Sequence, residues 1–94
     1  MAIAMHMHWP GVDADQYDRL KDHVGWEREA PQGGILHVTS FSPQGAHIVD
    51  VWESQEAFQR FSEDRPMPGV QELGIQGEPD VQFYPVHDLF TPGV

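Results

Sequence analysis

Ninety-four residues with no cysteine carry fifteen acidic and five basic side chains, a formal charge of -10. That composition rules out disulfides, a thiolate nucleophile and cysteine-ligated zinc, and it is a poor match for a nucleic-acid backbone or an anionic membrane surface. No apolar run approaches the ~20 residues of a membrane span, and the N-terminus has neither the charged start nor the cleavage site of a signal peptide. The expectation is one cytoplasmic domain over residues 1–94, small enough for a partner to add usefully to its core.

Residues 2–9 alternate as a strand, with Ile3, Met5, Met7 and Trp9 on one face and Ala4, His6 and His8 on the other. Pro10-Gly11 ends it. Asp13 with Gln16 reads as a capping box, Val12 with Tyr17 as a hydrophobic staple, and Gly25 as the stop of a helix whose apolar stripe is Tyr17, Leu20 and Val24. Residues 26–34 read as a loop. A second strand over 35–41 and a turn over 42–45 lead into a third strand over 46–52.

If Phe41 pairs with Ala46, the antiparallel register sets His37 opposite Asp50 and Ile35 opposite Trp52. One face is then plainly aliphatic, made of Leu36, Val38, Val49 and Val51. The other carries Ile35, His37, Thr39, Phe41, Ile48, Asp50 and Trp52. A carboxylate and an indole on the same buried face call for partners or a use.

Ser54 caps a second helix over 55–64 with Ala57, Phe58 and Phe61 inward. Pro66 and Pro68 are expected to break it, leaving a short turn over 70–73 closed by Gly74. A fourth strand over 81–87 follows. Its inward row is open, since Val81/Phe83 and Tyr84/Val86 are both apolar pairs, and so the side of His87 is open too.

The order is β-α-β-β-α-β, an α+β ferredoxin-like unit whose antiparallel sheet has helices on one face. The other face is too apolar and aromatic for water, and a second copy packed sheet to sheet would cover it as a twofold homodimer.

At Val51-Trp52-Glu53-Ser54-Gln55-Glu56-Ala57-Phe58 the chain resembles the antibiotic biosynthesis monooxygenase-like group of the dimeric α+β barrel superfamily, which commonly shows W-x-S-x-x-A-F where strand three enters helix two. The resemblance implies a dimeric barrel with Trp52 facing a cavity. It also implies activities such as cofactor-independent monooxygenation of polycyclic phenols, haem degradation or cyclisation. The haem-degrading branch uses an Asn in strand one and a His on helix two; this chain has His6 and His8 in the first and no histidine on the second.

Several residues could carry chemistry. His37 beside Asp50 suits a general base with its orienting partner, because the carboxylate holds the ring's tautomer and stabilises the protonated ring; it equally suits a buried cross-strand hydrogen bond. Trp52 offers a stacking wall or plain core, and Thr39, Phe41, Tyr84 and His87 are candidate substrate contacts. His6 and His8, ~7 Å apart at Cα, could ligate a metal with Asp50 or His37, or merely line a polar interface. Arg65 could clamp a carboxylate at the cavity mouth. The expected function is a small cofactor-free oxygenase acting on an aromatic or polyketide-like molecule between sheet and helices. The alternatives are a metal or haem site on His6, His8 and His37, and a non-catalytic ligand-binding or structural dimer.

Overall fold

The computed structural model describes residues 1–93. Strand β1 (Ile3–Pro10) is followed by helix α1 (Ala14–Val24), strands β2 (Gly34–Ser42) and β3 (Gly45–Trp52), helices α2 (Gln55–Asp64) and α3 (Pro66–Leu73), and strand β4 (Asp80–Pro85). The four strands form one antiparallel sheet in the order β2-β3-β1-β4, the ferredoxin-like arrangement.

Local chemistry accounts for most element ends. The Asp13 side chain accepts from the Gln16 N–H at 2.8 Å, and the Asp13 N–H donates to Gln16 Oε1 at 3.1 Å, closing the capping box of α1. Gly25 ends that helix at φ 76°. Ser54 Oγ accepts from the Ala57 N–H at 3.1 Å, so β3 hands over to α2 within two residues. Gly45 stands where a side chain cannot. Its φ is 132°, and a Cβ there would lie 2.2 Å from the Trp9 carbonyl.

Two expectations fail in the C-terminal half. Residues 66–73 are a full helix rather than a turn, because both prolines fall in its first turn, where their missing N–H groups have no intrahelical partner to lose. Strand β4 ends at Pro85, so His87 lies beyond it and is exposed.

The register holds as expected from Phe41↔Ala46 to His37↔Asp50, but an irregularity between Gly34 and Leu36 leaves Ile35 unpaired and sets Gly34 opposite Trp52. Pairing puts Met5 and Phe83 on the same face as Asp50, and His6 and Gln82 on the same face as Val49. The helices cover the Asp50 face. The open face is therefore the aliphatic one, with Val38 49% and Val49 41% exposed, and not the aromatic one. Large side chains gain most from burial, so Met5, Trp9, Ile48 and Trp52 go under the helices, while the valines make a flat outer surface.

The core beneath the helices centres on Trp9, Val12, Leu20 and Ala46, with Val24, Val70, Leu73 and Ile75 packed around it. Helix α3 sits close against α1 at Gly69, where a Cβ would meet Val24 at 3.0 Å and Leu20 at 3.1 Å. Among the described residues no helix is long and apolar enough to cross a membrane.

Candidate active site

Helix α2 turns Phe58 and Phe61 toward the sheet, yet none of its residues is fully buried. The space beneath it is a cavity of about 250 Å³, a little below the volumes typical of small-molecule sites, roughly 300–1,000 Å³. The walls are aromatic and aliphatic. Trp52, 4% exposed, packs at 5.5 Å against Phe58 edge to face and at 5.5 Å against Phe61. Phe83 closes on Phe58 from β4 at 5.5 Å. The polar groups on this lining are few: Tyr17, His37, Asp50 and Ser62.

Asp50 is the centre of the polar set and is only 5% exposed. Its Oδ2 accepts from the Trp52 indole N–H at 3.0 Å, and its Oδ1 accepts from His37 Nδ1 at 2.6 Å. A buried carboxylate with a donor on each oxygen is a tolerable charge; one without them is not. Both donors come from local geometry. Trp52 is two residues along the same strand and so shares the face, and His37 is the directly opposite residue on β2.

The carboxylate, which only accepts, keeps the His37 proton on Nδ1 and leaves Nε2 as an acceptor. Tyr17 Oη donates to that nitrogen at 2.7 Å, and Thr39 Oγ1 lies 3.0 Å from it. The His37 side chain remains 38% exposed, so it bridges buried Asp50 and solvent at the cavity rim. Trp26 meets the ring edge to face at 5.8 Å, and the Tyr17 ring lies end to end with it, centroids 6.2 Å apart and 13° between planes. Burial pushes the Tyr17 hydroxyl above its ordinary ionisation range; a hydrogen bond from Thr39 and the charge of Lys21 pull partly the other way, while Glu27 and Asp50 add to the rise.

Of the residues singled out in the sequence, the structure gathers His37, Asp50, Trp52 and Thr39. Thr39 and Phe41 do not line the cavity: Thr39 reaches the site through His37 Nε2, and Phe41 is an edge contact to Tyr17 at 5.9 Å. Tyr84 is a correction. It lies on the open sheet face, edge to face with His6 at 5.3 Å, with its hydroxyl donating to Gln82. His87, past the end of β4, does not line the cavity either.

His6 and His8 are a correction as well. Their side chains leave the sheet on the side opposite His37 and Asp50, because they pair with Val49 and His47 rather than with Asp50. His8 stacks on His47 at 4.8 Å. A metal or haem ligand set joining His6 and His8 to His37 or Asp50 is not assembled, and among the described residues no three His, Asp or Glu side chains group as metal ligands. Arg65 does not line the cavity; its guanidinium donates to the Val24 carbonyl at 3.4 Å and lies over the Phe61 ring.

The sequence gives Tyr17 two packing roles, the staple with Val12 and the apolar stripe of the first helix, and no place in the site. Its one tell-tale was a hydroxyl on a stripe otherwise made of Leu20 and Val24, since a buried phenol needs a hydrogen-bond partner. Trp26 sits just after a helix stop, and nothing local marks it.

No family model matches the chain, and no curated protein matches it. Solved structures do. A variant of SnoaB, a cofactor-independent oxygenase from Streptomyces nogalater, is 11% identical with a TM-score of 0.68, covering 94% of this chain and 95% of that one. A protein of unknown function from Nitrosomonas europaea is 13% identical with a TM-score of 0.73, covering 99% and 96%. A monooxygenase from the gene ActVA-Orf6 of Streptomyces coelicolor, in complex with the ligand Nanaomycin D, is 21% identical with a TM-score of 0.55, covering 98% and 92%. At these identities the likeness is one of fold. The fold they share with this chain is the ferredoxin-like α+β arrangement, one antiparallel sheet with helices on one face.

Proposed function

We propose that the cavity under α2 is the active site of a small oxygenase that works without a cofactor on an aromatic or polyketide-like molecule. The observation that carries this is the Asp50–His37 pair set into the rim of an aromatic-walled cavity, with the Trp52 indole bonded to the same carboxylate. SnoaB, described as a cofactor-independent oxygenase, shares the fold and supports the same assignment.

The substrate lies flat against Trp52, between Phe58 and Phe61, where burial of ring area supplies most of the binding. His37, its ring held by Asp50, takes up the proton of a phenol or enol, and the imidazolium that forms is stabilised by the carboxylate. The electron-rich anion then reduces dioxygen and forms the new carbon–oxygen bond. With an activated CH₂ as the reacting carbon, one oxygen stays as a carbonyl and the other leaves as water, so the substrate supplies all the electrons. The dry walls keep the anion from being reprotonated by bulk water.

One observation favours a second function, ligand binding without catalysis: both ring nitrogens of His37 already have partners. Oxygen uptake with a panel of phenols and naphthols, comparing the parent with His37→Ala, separates the two. Consumption that depends on His37 supports the oxygenase; binding with no consumption in either protein refutes it.

The same proposal has the chain working as a cytoplasmic homodimer, with a small molecule inside each protomer and the exposed Val38/Val49 face covered by a second copy. The absence of cysteine suits a reducing compartment. Sedimentation velocity tests the dimer.

A further inference from the structure

The His37 ring has one lone pair, on Nε2, and it is spoken for. Tyr17 Oη donates to it at 2.7 Å while Nδ1 donates to Asp50 at 2.6 Å. A substrate proton can reach that lone pair directly only if Tyr17 swings away. The packing opposes such a movement: the Tyr17 ring is bracketed by Trp26 at 5.7 Å and Phe41 at 5.9 Å.

We propose that Tyr17 is the catalytic residue that meets the substrate, and that it passes the substrate's proton to His37 by giving up its own. The inference rests on the function proposed above and assigns the first contact of that chemistry to a different residue. Tyr17 lines the cavity, and it comes from α1, across the rim from the sheet that carries His37 and Asp50. A phenol that donates to Nε2 still has lone pairs to accept with, so it can bond a substrate O–H and His37 together.

The transfer balances in one concerted step. The substrate O–H bond breaks and its proton bonds to Tyr17 Oη. The Tyr17 O–H bond breaks and its proton bonds to His37 Nε2. The products are a substrate anion, a neutral tyrosine and an imidazolium whose Nδ1–H faces the Asp50 carboxylate. The route reverses when an oxygen of the product needs a proton.

The surroundings keep Tyr17 in the form this needs. A phenol is protonated at neutral pH and burial raises its ionisation further, with Lys21 on α1, Glu27 in the following loop, and Asp50 and Thr39 on the sheet as the groups that face it. A neutral phenol relays, whereas a phenolate would have to be recharged at each turnover. Thr39 Oγ1, 3.0 Å from Nε2, helps to hold the junction in place.

The probe is 4-nitrophenol, whose anion is coloured, with binding followed separately by quenching of tryptophan fluorescence. In the parent protein the bound probe ionises at a pH about one unit or more below that of the free probe, a tenfold gain in its acidity. Tyr17→Phe keeps the ring and the quenching but returns the ionisation to the free value, as does His37→Ala. If Tyr17→Phe ionises the probe as the parent does while His37→Ala does not, the proton goes straight to His37; the relay is then wrong and the proposed function stands. If His37→Ala also behaves like the parent, or if the parent leaves the probe unshifted, both the relay and the proposed function fall.

Discussion

Trp52 donates its indole N–H to Asp50 across a single intervening residue, at 3.0 Å, in the buried end of β3. The period of a strand, two residues, makes this contact available, and burial makes it necessary. The aromatic wall of the cavity is thereby tied to its charged centre, so changes at one are felt at the other.

Trp52→Phe keeps a ring in the wall but removes a donor from a buried carboxylate. The expected loss of stability is about 1–3 kcal/mol, the usual cost of leaving such an acceptor unpaired. Urea unfolding measures it. An unchanged midpoint would mean that water takes the place of the indole.

Asp50→Asn preserves shape and removes the charge that stabilises a protonated His37. Substrate-dependent oxygen uptake is expected to fall by about 10²-fold or more, within the span a general base contributes. The double change with His37→Ala should cost little more than His37→Ala alone, because the two act as one unit. Additive losses would show that they act separately.

Val49→Glu places a charge on the open sheet face, where the parent residue is 41% exposed. If two sheets pack face to face, each copy buries that carboxylate against its twin without a partner, and the dimer dissociates. Sedimentation velocity should show the mass halved, with the far-ultraviolet circular dichroism of the protomer retained. A parent protein that already sediments as a monomer would remove the interface.

Tyr17 predicts an alkaline limb in stability. Its hydroxyl ionises above the ordinary tyrosine value of 10.0 in the folded chain, so above about pH 10 the unfolded state loses this proton first. With fewer protons bound when unfolded than when folded, stability declines as pH rises from there toward the raised folded value; below that window the group contributes no slope. Tyr17→Phe should unfold with a shallower decline over the same window, as read from thermal midpoints. An identical decline would place its cause elsewhere.

Much of the layout was legible along the chain because it is set by short-range rules. Asp13 and Ser54 cap their helices, Gly25 stops one, and the turn around Pro43-Gln44 puts Phe41 opposite Ala46. From that one pairing, His37 falls opposite Asp50. Errors came where a local rule has two outcomes. Proline ends a helix from within but starts one at its first turn, and Pro66 begins α3. Alternation divides a sheet into two faces but does not say which the helices cover.

The residues by themselves determined the order β-α-β-β-α-β (to which the structure adds α3), the register of the β2–β3 hairpin, and a carboxylate and an indole forced to share a face, because pleat and capping act over a few bonds. Only the tertiary structure decided that this face lies under the helices, that His6 and His8 point away from it, and that Tyr17 arrives from α1 to close on His37. Those outcomes depend on which large side chains gain most from burial together, a matter of three-dimensional packing between segments far apart in the chain.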